Sequence, residues 1–239
     1  MSQPKIAILM AAGTGTRLRP ITSNQPKPLV KVNGKPMIET VIEGLLSIDI
    51  EKIYVVTGYL GEQFSYLTEK YPNLSLIENT EYMKKNNISS IYAARNILGT
   101  ENCIISEADL LVSDPSIFKR DMQHSQYMGK FIDGISDDWS FRLEGDRMTK
   151  ITTGGEQIYN MIGISYWTKE DGKMIVDAVK EAYQKPGHET LYWDEIVDSL
   201  LKDIYVCVQP VQDSQIIEID TVEELQALDS TYLDLSQFK

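Results

Sequence analysis

The run Ile6-Ala7-Ile8-Leu9-Met10 is apolar without interruption and ends in Ala11-Ala12-Gly13-Thr14-Gly15-Thr16. A short apolar run of this kind suits a strand buried on both faces. The small-residue loop after it lets backbone N–H groups approach an anion, because no Cβ blocks the way. Arg17, Arg19, Lys27 and Lys31 come soon after, in a chain whose formal net charge is −12. A buried strand opening into such a loop and then into cations points to a site for nucleotide phosphates. Taken alone, the loop also fits a tight turn with surface cations. Two other phosphate loops fail on spacing. A P-loop requires G-x-x-x-x-G-K-[ST], and no Lys-Ser or Lys-Thr is present after the loop. A dinucleotide fingerprint requires G-x-G-x-x-G, and Leu18 stands where its third glycine would be.

Beyond the loop, strand-like and helix-like stretches alternate. Leu29 to Val32 reads as a short strand, with the turn signal Asn33-Gly34 after it. Met37, Ile38, Val41, Ile42, Leu45 and Ile48 repeat at helical spacing. Strands are expected at Lys52 to Thr57, Leu74 to Glu78 and Asn102 to Ser106, and helices at Gly61 to Tyr71 and Ser89 to Leu98. Such alternation implies right-handed crossovers and a largely parallel sheet, whose ligands gather at the carboxyl ends of the strands. The loop at Ala11 and the segment Glu107-Ala108-Asp109 both stand at such ends. Pro115 to Gln123 reads as a short helix. From Tyr127 to Thr168 the pattern becomes strands broken by turns, with hairpin loops expected at Glu144-Gly145-Asp146 and at Gly154-Gly155. Helices at Lys169 to Gln184 and Leu191 to Lys202, strands at Tyr205 to Val211 and Ile216 to Asp220, and a helix from Val222 to Leu228 complete the chain. The expected architecture is α/β, one domain over residues 1–239, with a nucleotide-binding half to residue 110 and an acceptor-binding half over 111–239.

The acidic balance argues against nucleic acid or an anionic membrane surface as the main partner. No apolar run approaches the ~20 residues of a membrane span, and Met1 to Lys5 leads directly into a strand, with no signal peptide. Cys103 and Cys207 lie inside apolar runs and read as buried thiols of a cytoplasmic protein. His124, His188 and the cysteines form no zinc-ligand pattern. Asp109 and Asp220 each stand after an expected strand. A magnesium ion held by such carboxylates and by phosphate oxygens would neutralise the charge of a phosphoryl transfer. Either residue alone fits a helix cap or a solvated turn equally well.

The loop and the Pro-Lys segment downstream of it resemble the signature of the nucleotidyltransferases, A-A-G-x-G-[ST]-R-[LM] and then P-K-[PA]-L. Ala11 to Leu18 and Pro26-Lys27-Pro28-Leu29 match both halves. The resemblance implies a GT-A-like fold, with a Rossmann-like, mixed and mostly parallel sheet and an antiparallel extension for the acceptor. It implies nucleotide contacts along Ala11, Ala12, Gly13, Thr14, Gly15 and Thr16. Arg17, Lys27 and Asp109 would be catalytic, and Mg²⁺ would sit on Asp109 and Asp220. The chain departs from the family's D-[AG]-D motif at Glu107, which leaves Glu107 as a water-mediated or supporting group.

Leu191-Tyr192-Trp193-Asp194, Glu218-Ile219-Asp220, Gly58 to Phe64 and Asn86 to Tyr92 are more narrowly similar to the bacterial CTP:phosphocholine cytidylyltransferases of the LicC type. That resemblance places Asn87, Ser89 and Ser90 near the cytosine and ribose, and Trp139, Tyr192 and Asp194 around the choline. Aromatic faces and negative charge are what a quaternary ammonium ion needs, although each tryptophan alone fits core packing as well. The reaction implied is cytidylyl transfer from CTP to phosphocholine. A sugar 1-phosphate or 2-aminoethylphosphonate as acceptor is the enzymatic rival, and a nucleotide-sensing module without chemistry is the other. The sequence says nothing of oligomeric state.

Overall fold

The computed structural model describes residues 3–238. The expectation at the start of the chain extends over Met1 and Ser2, which lie outside the described residues. The first strand, β1 (Ile6–Ala11), is central to a seven-stranded sheet. On one side it pairs in parallel with β4 (Lys52–Thr57), and on the other with β6 (Cys103–Glu107). Between β1 and β4 the chain makes a small hairpin, β2 (Lys31–Val32) with β3 (Lys35–Pro36), and then α1 (Met37–Leu46). Beyond β4 come α2 (Tyr66–Lys70), β5 (Leu74–Glu78) and α3 (Ile88–Ala93). Met10 is level with Val56 on β4 and with Glu107 on β6, so the carboxyl ends of these strands open at one height.

Successive strand residues face opposite layers. Ala7, Leu9, Ile53, Val55 and Ile104 pack under α1, while Ile6, Ile8, Val56, Cys103 and Ile105 face α3 and two later helices. Cys103 is buried and Cys207 half-buried, and both are free thiols. Among the described residues no helix is long and apolar enough to cross a membrane.

The second half extends the same sheet. After β7 (Leu110–Val112) come two long strands, β8 (Ser125–Glu144) and β9 (Arg147–Trp167), joined at Gly145-Asp146. Next come α4 (Lys169–Ala182), α5 (Trp193–Leu200), β10 (Val206–Pro210), β11 (Ile216–Glu218) and α6 (Val222–Leu228). The sheet order is β10-β8-β9-β6-β1-β4-β5, with β9 antiparallel to both β6 and β8. The fold is thus a mixed, mostly parallel sheet flanked by helices.

Several local expectations are corrected. Gly154-Gly155 is no hairpin. It lies inside β9 opposite Ser136, where the ladder slips register between Ile132 and Trp139. Leu29 is not in a strand: Pro26 and Pro28 withhold two backbone donors, and Lys27–Leu29 closes a 3-10 turn instead. The helix expected from Gly61 to Tyr71 is a 3-10 turn, Gly61–Phe64, and then the short α2. Pro115–Lys119 is likewise a 3-10 turn, started by Asp114, whose carboxylate accepts from Ser116 N. The helix expected over Ser89 to Leu98 ends at Ala93.

Candidate active site

Where β1 ends, Gly15 adopts a left-handed conformation (φ 59°), and a Cβ there would stand 2.8 Å from Lys27 Cβ. Only glycine lets the lysine stem pack against the loop. Thr22 Oγ1 donates to Gly15 O (2.7 Å) and fixes the bend. At Gly13 nothing lies within 4 Å of an added Cβ, so this part of the loop faces open space. Buried Leu18 anchors the turn Thr16–Leu18 and leaves Arg17 outside it.

Lys27 is the hinge of the site. Its Nζ lies 2.7 Å from Asp109 Oδ2 and 2.8 Å from Asp220 Oδ1, and Arg17 Nη1 lies 2.9 Å from Asp220 Oδ2. Burial alone would lower the Lys27 pKa, but Asp109 and Asp220 outweigh it and the net direction is upward. The two acids meet because β11 runs antiparallel to β7 with Glu218 opposite Leu110. Asp109 immediately precedes one strand and Asp220 comes shortly after the other. The structure therefore brings together residues more than a hundred positions apart.

Among the described residues no group of three or more His, Cys, Asp or Glu side chains is arranged to hold a metal ion. Two hard-oxygen carboxylates facing one cation position nonetheless fit Mg²⁺, which completes its shell with phosphate oxygens and water. Asp109 and Asp220 are the residues that would hold it.

These groups line one cleft of about 1080 Å³. Its far wall carries Trp139 and Tyr192, with ring centroids 5.3 Å apart and planes at 58°. Trp167 and Trp193 are instead buried together against Tyr127. The three tryptophans thus divide between the cleft and the core.

Asp194 is 6% exposed and accepts from Tyr127 Oη at 2.8 Å. Burial pushes its carboxyl up to about 7, although the Tyr127 hydrogen bond pulls the other way. Glu107 lies against Gly163, where a Cβ would stand 2.7 Å from Glu107 Oε2; the φ of +72° at Gly163 also favours glycine. Burial, then repulsion from Asp109, Glu218 and Asp194, holds the Glu107 carboxyl well above the ordinary range. Withdrawal from water inside the cleft, then Asp220, Asp138 and Asp109, raises Glu218 to about 7.

Every site residue named from the sequence lines this cleft except Thr16, whose carbonyl is turned into the 3-10 turn to accept from Arg19 N. Ser89 and Ser90 are buried at its edge, where Asn79 Nδ2 reaches both hydroxyls at 2.9 and 3.3 Å. Asn87 Oδ1 accepts from Trp193 N at 2.9 Å, tying the start of α3 to that of α5. The sequence reading missed Asn79, Tyr82, Lys85, Asp138 and Met161, which also line the cleft. Asn79 comes directly after β5, and the strand-end rule applied there would have found it.

A family model described as nucleotidyl transferase matches residues 6–133. A 2-aminoethylphosphonate cytidylyltransferase of Lancefieldella rimae is 46% identical over 230 residues, covering 96% of this chain and 94% of that one. The chain belongs to the nucleotidyl transferase family. A choline-phosphate cytidylyltransferase of Streptococcus pneumoniae is 36% identical over 225 residues, 93% of this nucleotidyltransferase and 96% of the relative. The solved structure of the CTP:phosphocholine cytidylyltransferase LicC from Streptococcus pneumoniae superposes with a TM-score of 0.86 at 33% identity, over 95% of this chain and 99% of that one.

Proposed function

We propose that this nucleotidyltransferase moves a cytidylyl group from CTP to 2-aminoethylphosphonate, releasing pyrophosphate. One observation carries the choice of acceptor. The cleft that carries the Trp139–Tyr192 pair is lined also by Asp194, Glu107 and Glu218, each held above its ordinary pKa. Carboxyl groups raised in this way gain from a cation delivered by the substrate. A primary ammonium also donates three hydrogen bonds, which carboxylates accept and ring faces do not replace. The 46% identity to a 2-aminoethylphosphonate cytidylyltransferase supports the same reading. Phosphocholine is the second reading. The open faces of Trp139 and Tyr192 favour it, because a quaternary ammonium ion is held by rings and field alone, and so does the 36% relative.

In this reading the triphosphate lies along Ala12 to Arg17. Lys27, held by its carboxylate partners, is a fixed cation where phosphate charge builds up. A phosphonate oxygen of the acceptor attacks the α-phosphorus in line. The bond from α-phosphorus to the bridging oxygen breaks, and that oxygen leaves with pyrophosphate. The attacking oxygen is already anionic, so no side chain has to remove a proton. When bound, Mg²⁺ on Asp109 and Asp220 supplies further neutralisation of phosphate charge. Asn87 and Ser90 face the nucleoside, and Trp139, Tyr192 and Asp194 hold the amine. What remains for the protein is positioning and charge.

The test offers each nucleoside triphosphate, with Mg²⁺, to 2-aminoethylphosphonate, phosphocholine, phosphoethanolamine or glucose 1-phosphate, and measures pyrophosphate. CTP with 2-aminoethylphosphonate is expected to give the highest kcat/KM, at least tenfold above phosphocholine. A reversed order favours the second reading. Preference for glucose 1-phosphate refutes both.

A further inference from the structure

The cleft is lined by seven carboxyl side chains and by three cations, Arg17, Lys27 and Lys85. Arg17 and Lys27 pair with Asp109 and Asp220, which line the cleft themselves. Lys85 differs. Its ion-pair partner is Glu81, 2.5 Å away and outside the lining. Lys85 thus lines the cleft while its counter-charge does not.

The side chain is also held in place. Its Nζ sits 4.1 Å above the centroid of the Tyr183 ring, and that ring stacks on Tyr92 at 3.6 Å. Tyr183 Oη donates to Glu81 Oε2 at 3.3 Å. The neighbouring backbone is fixed against the segment leading into α5: Asn86 N donates to Glu189 O (2.8 Å), and Asn86 Nδ2 to Thr190 O (3.2 Å). Lys85 thus shares a wall with Tyr192, and its 15% side-chain exposure accompanies a place in the cleft lining. An ammonium has three donors, and Glu81 engages only part of that capacity.

We propose that Lys85 binds the phosphorus oxyanion of the acceptor and so selects acceptors that carry one. This rests on the reading of the acceptor as a small amine with a phosphonate or phosphate group. With only two carbons between its charges, such a molecule needs a cation close to the pocket for its amine.

The test compares wild type with Lys85→Met and Lys85→Arg. Initial rates give the KM of acceptor and of CTP separately. Calorimetric titration with ethylphosphonate, which has the anion but no amine, reads the contact without turnover. Lys85→Met is expected to raise acceptor KM at least tenfold, leave CTP KM within twofold and abolish ethylphosphonate binding. Lys85→Arg is expected to restore that binding. Equal ethylphosphonate binding by wild type and Lys85→Met, or none by either, overturns the proposal. So does a parallel rise in both KM values, the mark of a purely structural role. Lys85→Gln keeps a donor for Glu81 without the charge, and gives the same readouts if the methionine variant does not fold. Failure of the acceptor reading shows separately, as absent pyrophosphate release by the wild type with either amine.

Discussion

Lys27, Asp109 and Asp220 form a bridge in which one ammonium lies within 2.8 Å of two carboxylates. Asp109→Asn is expected to abolish pyrophosphate release while leaving the circular dichroism spectrum unchanged, since the side chain is a quarter exposed and the amide keeps an oxygen for Lys27. Lys27→Ala should lower kcat by about 10²–10³, the scale of losing one charge-stabilising donor. Asp194 governs a pH effect. Its carboxyl is raised from an ordinary 3.8 to about 7 in the folded chain. Between those values the folded state binds the proton that the unfolded state has released, so this group's contribution falls as pH rises through that window. Asp194→Asn should flatten the decline in urea-unfolding free energy between pH 4 and pH 7 by a few kcal/mol, on the order implied by about 1.4 kcal/mol per pKa unit. The bridge residues were legible because each stands beside a strand end or inside a spaced motif. Lys85 was not. In Lys84-Lys85 both side chains read as solvated, and only the fold shows which of them turns into the cleft.

The loop after β1 needs glycine at its bend. Gly15→Ala would place a methyl group 2.8 Å from Lys27 Cβ in a left-handed backbone. The backbone term alone costs about 1–2 kcal/mol. The variant is expected to lose a few degrees of thermal midpoint and at least tenfold in kcat, read by calorimetry and by pyrophosphate release. Elements with clear periodicity were legible: β1, β4, β5, β6, α1 and α4 fall within a few residues of expectation. The pair β8–β9 was not read as two long strands. Its repeated register shifts break the two-residue alternation on which a strand is recognised. The short turns near Pro28, Gly61 and Pro115 misled for a different reason. An apolar run flanked by proline or glycine fits a strand, a helix or a 3-10 turn equally well.

At the scale of the whole molecule, the cation-bearing region is backed by distant chain. Leu18, Ile21, Val30, Val32 and Met37 form a small core with Ile219, Leu225 and Tyr232. Asn33 N donates to Asp229 Oδ2 (2.7 Å), and Tyr232 Oη to Lys31 O (2.8 Å). Removing residues 222–238 spares every residue assigned to phosphate or metal contact. It is nevertheless expected to lower the thermal midpoint by well over 5 °C and to abolish turnover, because burial of each large apolar side chain is worth roughly 1.5–3 kcal/mol. Retained activity in that truncation would separate the site from its backing. The largely parallel sheet and its antiparallel extension were legible from the alternation of strands and helices; the strand order was not read. The meeting of β7 with β11 was not, because a three-residue ladder leaves almost no trace in a sequence.

That late ladder also sets an order of events during synthesis. A chain still emerging from the ribosome can complete β1, β4 and β6 early, yet Lys27 waits for a partner 193 residues downstream. A nascent or prematurely terminated chain therefore carries a recognisable nucleotide loop without a finished grip. Chains truncated before Asp220 are expected to bind CTP at least tenfold more weakly than the full chain, read by calorimetric titration, because Lys27 and Arg17 then lack the carboxylate that holds both.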